Sequence, residues 1–250
     1  MLRNNNARLS QLAIFFYLLI GCFHYSSGQN RVLSTPNASP EAKALYCYIQ
    51  SIAGKKILSG QMWSGWGFDE LKYISDNTGG KQPALLGLDF MQQSANNTQV
   101  TLATNWWKKG GIPTMMWHMG APGHGEGYES SKMSANINNC LDKNTAEGKI
   151  FWADLAQKAD LLQKLRDANI PILWRPFHEL SGNWFWWSKE GGAQFKKLWI
   201  AMYDYYVKEN LHRFHIFFRK NYIPQLLKLS NLLYQFAFEF GNLVFLKSIN

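Results

Sequence analysis

The chain alternates between two patterns of apolar residues. Short, nearly continuous apolar runs are typical of strands buried on both faces, whereas apolar residues spaced three or four positions apart are typical of helices packed on one side. The runs predict strands at 56–59, 84–89, 114–118 and 170–177. The spaced pattern predicts helices at 68–77, 98–109, 151–168 and 193–208. This alternation predicts an α/β protein built of strand–helix units around a parallel sheet.

Two further segments complete this prediction. Ser39-Pro40-Glu41 has the composition of a helix start, with a capping serine, proline at the first position and an acidic first turn, and predicts a helix through about Ile52. Residues 120–150 are rich in Gly, Asn and Ser and predict a long loop after the third strand. Loops that follow parallel strands carry the active site in many α/β folds, so this loop is expected near any site.

The N-terminus has the pattern of a secretory signal peptide. Arg3 and Arg8 precede an apolar run at 12–22, and the small residues Ser26-Ser27-Gly28 follow it. The run is too short for a membrane span, although a retained signal anchor is the alternative. We therefore predict a signal at 1–28, a polar leader at 29–43 and a secreted, extracellular protein with no membrane association after cleavage.

Charge does not indicate a nucleic-acid partner. The formal net charge is +9, but 1–28 and 211–250 contribute much of it. Residues 29–210 hold 19 basic and 16 acidic side chains, a balance of +3. No basic stripe or nucleic-acid motif accompanies this balance, so no nucleic acid is predicted as a partner.

The cysteines and one sequon fit a secreted protein. Cys22 lies in the predicted signal, which leaves Cys47 and Cys140. They form either a disulfide or two free thiols, and the sequence leaves both open because it does not give the Cα separation that a bridge requires. Asn96-Asn97-Thr98 is a glycosylation sequon that predicts an exposed loop.

A carboxylate follows the fourth predicted strand and aromatic residues come soon after it. The strand runs out in Trp174-Arg175-Pro176-Phe177-His178-Glu179, and four aromatic residues occupy 184–187. Such a group suits sugar cleavage, because the carboxyl can protonate a glycosidic oxygen while flat rings stack on sugar C–H faces. The alternative is a packed aromatic cluster beside a solvated Glu179, but Arg, His and Glu are costly to bury together without a task.

These residues resemble the acid/base motif of glycoside hydrolase family 26. The resemblance continues through Gly182-Asn183-Trp184-Phe185-Trp186-Trp187, and three shorter pieces agree in order: Ile57-Leu58-Ser59-Gly60-Gln61, Gly87-Leu88-Asp89-Phe90 and Trp117-His118. It covers about 44–211. It implies a (β/α)8 TIM barrel, of which the first four βα units are recognisable at 44–210, and a retaining endo-β-1,4-mannanase.

The resemblance also implies roles for individual residues. Glu179 is implied to be the general acid/base, the proton donor of the reaction. The implied substrate-binding residues are His118, His178, Trp184, Trp187 and Arg175. His118 is expected on the non-reducing side of the cut, and His178 is expected to contact substrate or orient the nucleophile unless it is a satisfied core histidine. Arg175 is expected inside the barrel, paired with carboxylates or reaching the site.

The second carboxylate of a retaining enzyme is not identified. The resemblance implies a glutamate nucleophile after a seventh strand, and that strand is not recognisable. Glu239, in Phe238-Glu239-Phe240-Gly241, is a candidate, but it follows Glu179 by only 60 residues, too few for the intervening units. A solvated helix residue is the other interpretation. Asp89 also ends a predicted strand and is expected to be structural, through hydrogen bonds to nearby loops.

The last segment changes character. All eleven tryptophans fall between Trp63 and Trp199, so none lies in 211–250. This tail is either a genuine divergent C-terminus or the artefact of a truncated gene model.

The function predicted from these patterns is a secreted glycoside hydrolase acting on a polysaccharide, mannan or galactomannan, with no metal and no cofactor. β-1,3-Xylan and mixed-linkage β-glucan are the alternative substrates. A non-catalytic carbohydrate-binding remnant or an inactive truncated fragment is the alternative function, because a chain without a nucleophile would turn over nothing.

Overall fold

The structure is a computed structural model that describes residues 38–65, 69–92 and 96–209. The predicted signal, most of the leader, the tail 211–250 and Glu239 lie outside these ranges. Strands and helices alternate along the described chain. The strands are β1 (Gly60–Met62), β2 (Leu85–Asp89), β3 (Ile112–Trp117) and β4 (Leu173–Pro176). The helices are α1 (Pro40–Ile52), α2 (Glu70–Asn77), α3 (Asn96–Lys108), α4 (Gly127–Ser131), α5 (Ile137–Leu141), α6 (Ala146–Asp167), α7 (Trp186–Lys189) and α8 (Gly191–Lys208).

The four strands form one parallel sheet in the order β1-β2-β3-β4. Gly60 pairs with Leu85, Leu85 with Ile112, and Thr114 with Leu173. Sequential parallel order with a helical crossover between neighbours is the arrangement of successive βα units in a (β/α)8 barrel. The predicted fold class is therefore confirmed for the described part of the chain, which contains four of these units.

The helices follow the predicted pattern closely. Ser39 caps α1 as predicted, since its hydroxyl oxygen accepts the backbone N–H of Ala42 at 3.1 Å. α3 packs against β2, β3 and α6, and the core lies between these helices and the sheet. The side chains of this core include Leu88, Met115 and Leu162, which are all fully buried. Burial of each such side chain contributes on the order of 1.5–3 kcal/mol.

Two strand predictions were wrong in position. The predicted strand 56–59 is irregular, and Ile57 is 79% exposed, so this apolar residue does not mark a sheet position. The strand forms at Gly60–Met62 instead, where the chain pairs with β2. The fourth strand runs from Leu173 to Pro176 rather than over 170–177, and it ends before Phe177 because that residue adopts a φ of 50°. A residue in this left-handed region cannot continue a strand.

The predicted long loop at 120–150 was also wrong in part. It contains α4 and α5, and α6 begins at Ala146 rather than at 151. Thr145 caps α6 by accepting the backbone N–H of Gly148 at 2.9 Å. Small polar residues suggested an open loop, but here they serve as helix caps.

Candidate active site

The candidate site lies at the carboxyl edge of the sheet, where three neighbouring strands end. Asp89 is the last residue of β2, His118 directly follows β3, and His178 and Glu179 follow β4. Because the strands are parallel and in register, their ends meet at one edge of the sheet. The structure thus brings together residues that lie as far as 90 positions apart in the sequence.

Asp89 and the two histidines form a continuous chain of contacts. One carboxylate oxygen of Asp89 accepts the backbone N–H of His118 at 3.0 Å, and the other contacts the ring Nδ1 of His118. The Nε2 atoms of His118 and His178 lie 3.0 Å apart, with the rings nearly perpendicular at 89°. Asp89 was expected to hydrogen-bond to nearby loops. Its carboxylate instead contacts His118, a residue of the candidate site.

An irregular turn holds Glu179 after β4. Phe177, Glu179 and Asn183 have φ values of 50°, 56° and 57°, in the left-handed region that non-glycine residues rarely adopt. Each such residue costs on the order of 1 kcal/mol or more and persists only where its surroundings hold it. The indole N–H of Trp187 donates to the carbonyl of His178 at 2.9 Å, and the amide of Gly182 donates to the carbonyl of Glu179 at 3.0 Å. These contacts fix the turn.

Trp184 covers the carboxylate of Glu179. Its indole N–H donates to Oε2 of Glu179 at 3.0 Å, and the side chain is 39% exposed. The indole ring can occupy this position because residue 182 is glycine, since a Cβ at residue 182 would meet Cζ2 of Trp184 at 2.2 Å. An exposed indole face directly beside the acid is the arrangement expected of a sugar-stacking ring.

Trp187 does not share this position, and its predicted role as a stacking platform is corrected. The ring is fully buried and stacks on Phe185, with centroids 4.5 Å apart and planes at 28°. Trp186 is fully buried as well and donates its indole N–H to the carbonyl of Met119 at 3.0 Å. Of the four aromatic residues 184–187, only Trp184 is open to a ligand.

Arg175 and His178 are half-buried basic groups of the site. Desolvation lowers the pKa of Arg175, while the charges of Glu179 and Asp89 act to raise it. Desolvation also lowers the pKa of His178 well below its ordinary value, and His118 and Arg175 lower it further. Arg175 thus interacts electrostatically with both carboxylates, and His178 is neutral at physiological pH.

Tyr128 is a neighbour of the site that sequence reasoning missed. Its ring packs edge-on against His118 with centroids 5.4 Å apart, and it remains exposed. The Nζ atom of Lys132 lies 4.5 Å from the centre of the same ring. The signal that was available is an aromatic residue in the Gly-rich segment after β3, the region in which site residues were expected.

Four other tryptophans are packing residues. Trp117 and Trp106 are buried in the core, and Trp152 and Trp107 pack against it. These positions agree with the interpretation of these rings as core rather than stacking platforms.

The structure bears on both statements about modification. Of the two alternatives left open for Cys47 and Cys140, the disulfide is absent, since they are not bonded to each other. Burial raises the pKa of the Cys140 thiol to about 12, which makes it unreactive. Asn96 begins α3 and is buried rather than exposed. With its amide oriented to satisfy both neighbours, its oxygen accepts from Nζ of Lys158 at 2.9 Å.

Within 38–65, 69–92 and 96–209, no group of three or more His, Cys, Asp or Glu side chains is arranged to hold a metal ion. Across the same ranges, no helix combines the length and apolar character that a bilayer crossing requires.

Solved structures of several mannanases share this fold. A β-mannanase from a symbiotic protist of the termite Reticulitermes speratus, complexed with gluco-manno-oligosaccharide, is 38% identical with a TM-score of 0.64, covering 73% of this chain and 62% of its own. The Bacillus subtilis mannanase Man26 is 28% identical with a TM-score of 0.64, covering 74% and 63%.

The curated relatives carry a single type of name. A mannan endo-1,4-β-mannosidase of Thermothelomyces thermophilus is 35% identical over 192 residues, which are 70% of this chain and 39% of that protein. A mannan endo-1,4-β-mannosidase of Bacillus subtilis strain 168 is 30% identical over 195 residues, 71% of this chain and 53% of that protein. The chain therefore spans about two-fifths to a half of the length of these two relatives.

The sequence model of glycosyl hydrolase family 26 matches residues 34–225, a range that extends beyond 44–211 at both ends. With this match over most of the chain, the shared fold and the strand-end glutamate in place, the chain belongs to glycosyl hydrolase family 26.

Proposed function

We propose that this protein hydrolyses internal β-1,4 bonds of mannan with retention of configuration, and that Glu179 is the general acid/base. The observation that carries the proposal is the contact between Glu179 and Trp184 at the end of β4, where a carboxyl group and an exposed indole ring lie side by side. The names of the relatives, mannan endo-1,4-β-mannosidases, support the same reaction.

The chemistry follows from this geometry. Glu179 protonates the glycosidic oxygen as the bond to the anomeric carbon breaks, and a second carboxylate attacks that carbon from the opposite face. Glu179, now ionised, then accepts a proton from the water that releases the glycosyl-enzyme. In a retaining enzyme the second carboxylate lies about 5–5.5 Å from the first. Glu239, the candidate from the sequence, lies outside the described residues and stays a proposal.

Other site residues support substrate binding in this proposal. Trp184 offers its exposed face to a sugar ring, and His118 lies one strand away at the same edge of the sheet. The charge of Arg175 acts on Glu179 and Asp89, and the ring of His178 contacts His118. The indole N–H of Trp184 holds Oε2 of Glu179, which fixes the direction in which the carboxyl faces a ligand.

Replacement of Glu179 by glutamine tests the role assignment. Glu179→Gln removes the transferable proton and keeps the shape, so hydrolysis of galactomannan should fall by about 10²–10⁴-fold. Aryl glycosides with good leaving groups should lose less in the first step, and azide should partly restore turnover because it needs no general base. Glu129→Gln, an exposed carboxylate paired with Lys132, is the matched control and should retain activity. Near-normal hydrolysis of polysaccharide by Glu179→Gln would refute the assignment.

The substrate is a separate part of the proposal. The termite-protist relative was solved with a gluco-manno-oligosaccharide, which supports a β-1,4-linked chain that contains mannose. The competing substrates are β-1,3-xylan and mixed-linkage β-glucan. Release of reducing sugar from galactomannan, β-1,3-xylan and lichenan distinguishes them, and activity on lichenan alone would overturn the choice of mannan.

Secretion is proposed from the sequence of residues 1–28. The expected observation is export of the expressed protein into the medium with a new N-terminus near residue 29. N-terminal sequencing of the exported protein checks this expectation, and retention of Arg3 and Arg8 would contradict it.

Binding without hydrolysis is the alternative function. Its basis is that a retaining glycosidase needs two carboxylates, of which Glu179 is the one assigned within the described residues. Under this alternative the protein binds manno-oligosaccharide in calorimetry and releases no reducing sugar. Measurable turnover that is lost in Glu179→Gln would exclude it.

A further inference from the structure

The contact between Asp89 and His118 fixes the position of one proton. The Asp89 carboxylate meets His118 twice, at the backbone N–H and at the ring Nδ1, and uses a different oxygen for each. A carboxylate accepts hydrogen bonds and donates none. The ring Nδ1 of His118 must therefore carry a proton.

The contact between the two histidines fixes a second proton. Their Nε2 atoms are 3.0 Å apart, a hydrogen-bond distance that requires one proton between two nitrogens. A neutral His118 that is protonated at Nδ1 has a bare Nε2, which can only accept. His178 must then carry its proton on Nε2, and its Nδ1 is bare.

The surroundings of His178 favour its neutral ring. The pKa of His178 is lowered first by burial and then by His118 and Arg175, while the carbonyl of Arg175 acts in the opposite direction. That carbonyl is not placed for a hydrogen bond to Nδ1, since Nδ1 of His178 is buried and makes no hydrogen bond to any residue in the described ranges. An unpaired acceptor is the more common form of a buried unsatisfied group, whereas an unpaired N–H is rarer.

We propose that Asp89 is a positioning residue that sets the tautomers of both histidines, with His118 protonated on Nδ1 and His178 on Nε2. The carboxylate at the end of β2 thereby orients His178 after β4, through one intervening ring. His178 in turn precedes Glu179, and its carbonyl accepts the indole N–H of Trp187. The value of this order for catalysis rests on the proposed function, but the proton positions themselves do not.

Asp89→Asn reverses the arrangement. The asparagine oxygen keeps the backbone N–H of His118, which places its NH₂ group against the ring Nδ1. That nitrogen must now accept, so the proton of His118 moves to Nε2 and donates to His178. His178 is left with its proton on Nδ1. One substitution on β2 thus inverts the tautomers of two rings, and the farther ring is on another strand.

Ring ¹⁵N chemical shifts test the proposal without substrate. The full chain is labelled with ¹⁵N-histidine, and the ring signals are assigned, in both the unsubstituted protein and Asp89→Asn, by single glutamine replacements of His24, His118, His124, His178, His212 and His215. In the unsubstituted protein near pH 7.5 we expect His118 with Nδ1 protonated and Nε2 bare, and His178 with the reverse. Asp89→Asn should exchange the two patterns. Asp76→Asn, an exposed carboxylate paired with Lys72, is the control and should leave both unchanged.

Four results would overturn the proposal. In the unsubstituted protein they are a doubly protonated His118, a His178 protonated on Nδ1, and rapidly averaged tautomers like those of free histidine. In Asp89→Asn the contrary result is that His118 and His178 each keep the tautomer of the unsubstituted protein. If Asp89→Asn does not fold, the spectrum of the unsubstituted protein still decides. The NMR experiment measures no turnover, so a result that overturns the tautomer proposal is distinct from a Glu179→Gln result that overturns the proposed function.

Discussion

Gly182→Ala isolates the contribution of Trp184 to the site. A Cβ at residue 182 would meet Cζ2, Cε2 and Cη2 of Trp184 at 2.2, 2.3 and 2.3 Å, so the indole ring must leave its position. Trp184 is partly exposed and can swing into solvent. The global free energy of unfolding should therefore fall by only about 1 kcal/mol or less. The effect on the site should be much larger than the effect on the fold.

The size of the site effect follows from the contacts that are lost. Glu179 acts as an acid in its protonated form, so the hydrogen bond from Trp184 joins two neutral groups and is worth about 0.5–1.5 kcal/mol. Loss of a stacked aromatic ring removes about 0.5–1.5 kcal/mol more. Together these contributions of about 1–3 kcal/mol predict a decrease in kcat/KM on galactomannan of roughly 5- to 140-fold, since 1.4 kcal/mol is a factor of ten. If the protein binds without turnover, part of this loss should appear in the Kd for manno-oligosaccharide.

The assay needs a glycine control and a stability measurement. Gly192→Ala is suitable, because Gly192 is the second residue of α8 and a Cβ there has open space around it. Both variants are compared with the parent protein in urea unfolding and in initial rates. Full activity of Gly182→Ala would refute the role of Trp184. A loss of several kcal/mol in stability would refute the view that the ring can move freely.

Two further substitutions test features away from Trp184. Tyr128→Ala should weaken manno-oligosaccharide binding about 2- to 12-fold in calorimetry, because the exposed ring contributes a stacking energy of about 0.5–1.5 kcal/mol. Tyr128→Phe keeps the ring and should bind normally. Equal losses of affinity in both variants would contradict stacking. Burial raises the pKa of Asp154 to about 6, with Lys158 opposing the shift. The folded state thus prefers protonated Asp154, and stability that is complete below pH 4 should be lost as pH rises through 6. Because the group is partly exposed, we expect about 1–2 kcal/mol less stability at pH 7.5 than at pH 4.5 in urea unfolding. Asp154→Asn should flatten this slope and the exposed Asp160→Asn should not, so an unchanged slope in Asp154→Asn would refute the assignment.

The sequence predicted the longer helices well, because the spacing of their apolar residues is a local pattern and several of them carry their own caps. Ser39 is an example of a local signal that acts within one turn. The strands were harder to position, since register depends on partners elsewhere in the chain. Ile57 is apolar and β-branched, yet pairing with β2 begins at Gly60.

The site was predicted in outline and not in detail. Glu179 and His118 could be found because each follows an apolar run. The contact between Asp89 and His118 could not, because it spans 29 residues and depends on the register of β2 and β3. Trp184 and Trp187 belong to one run of aromatic residues, and the sequence does not show which of the two side chains is exposed. A turn with three residues at positive φ determines which of the two rings is exposed. Glycine usually marks positive φ in a sequence, and none of these three residues is glycine, so no local pattern predicts the turn.

That turn also links local stability to chemistry. If Phe177 or Glu179 relaxed to an ordinary φ, the backbone would release strain and carry the carboxyl group away from Trp184. Local opening of this segment should therefore require less free energy than unfolding of the sheet. Substitutions selected only for thermal stability would tend to relax this turn first, and would cost activity before they harmed the fold.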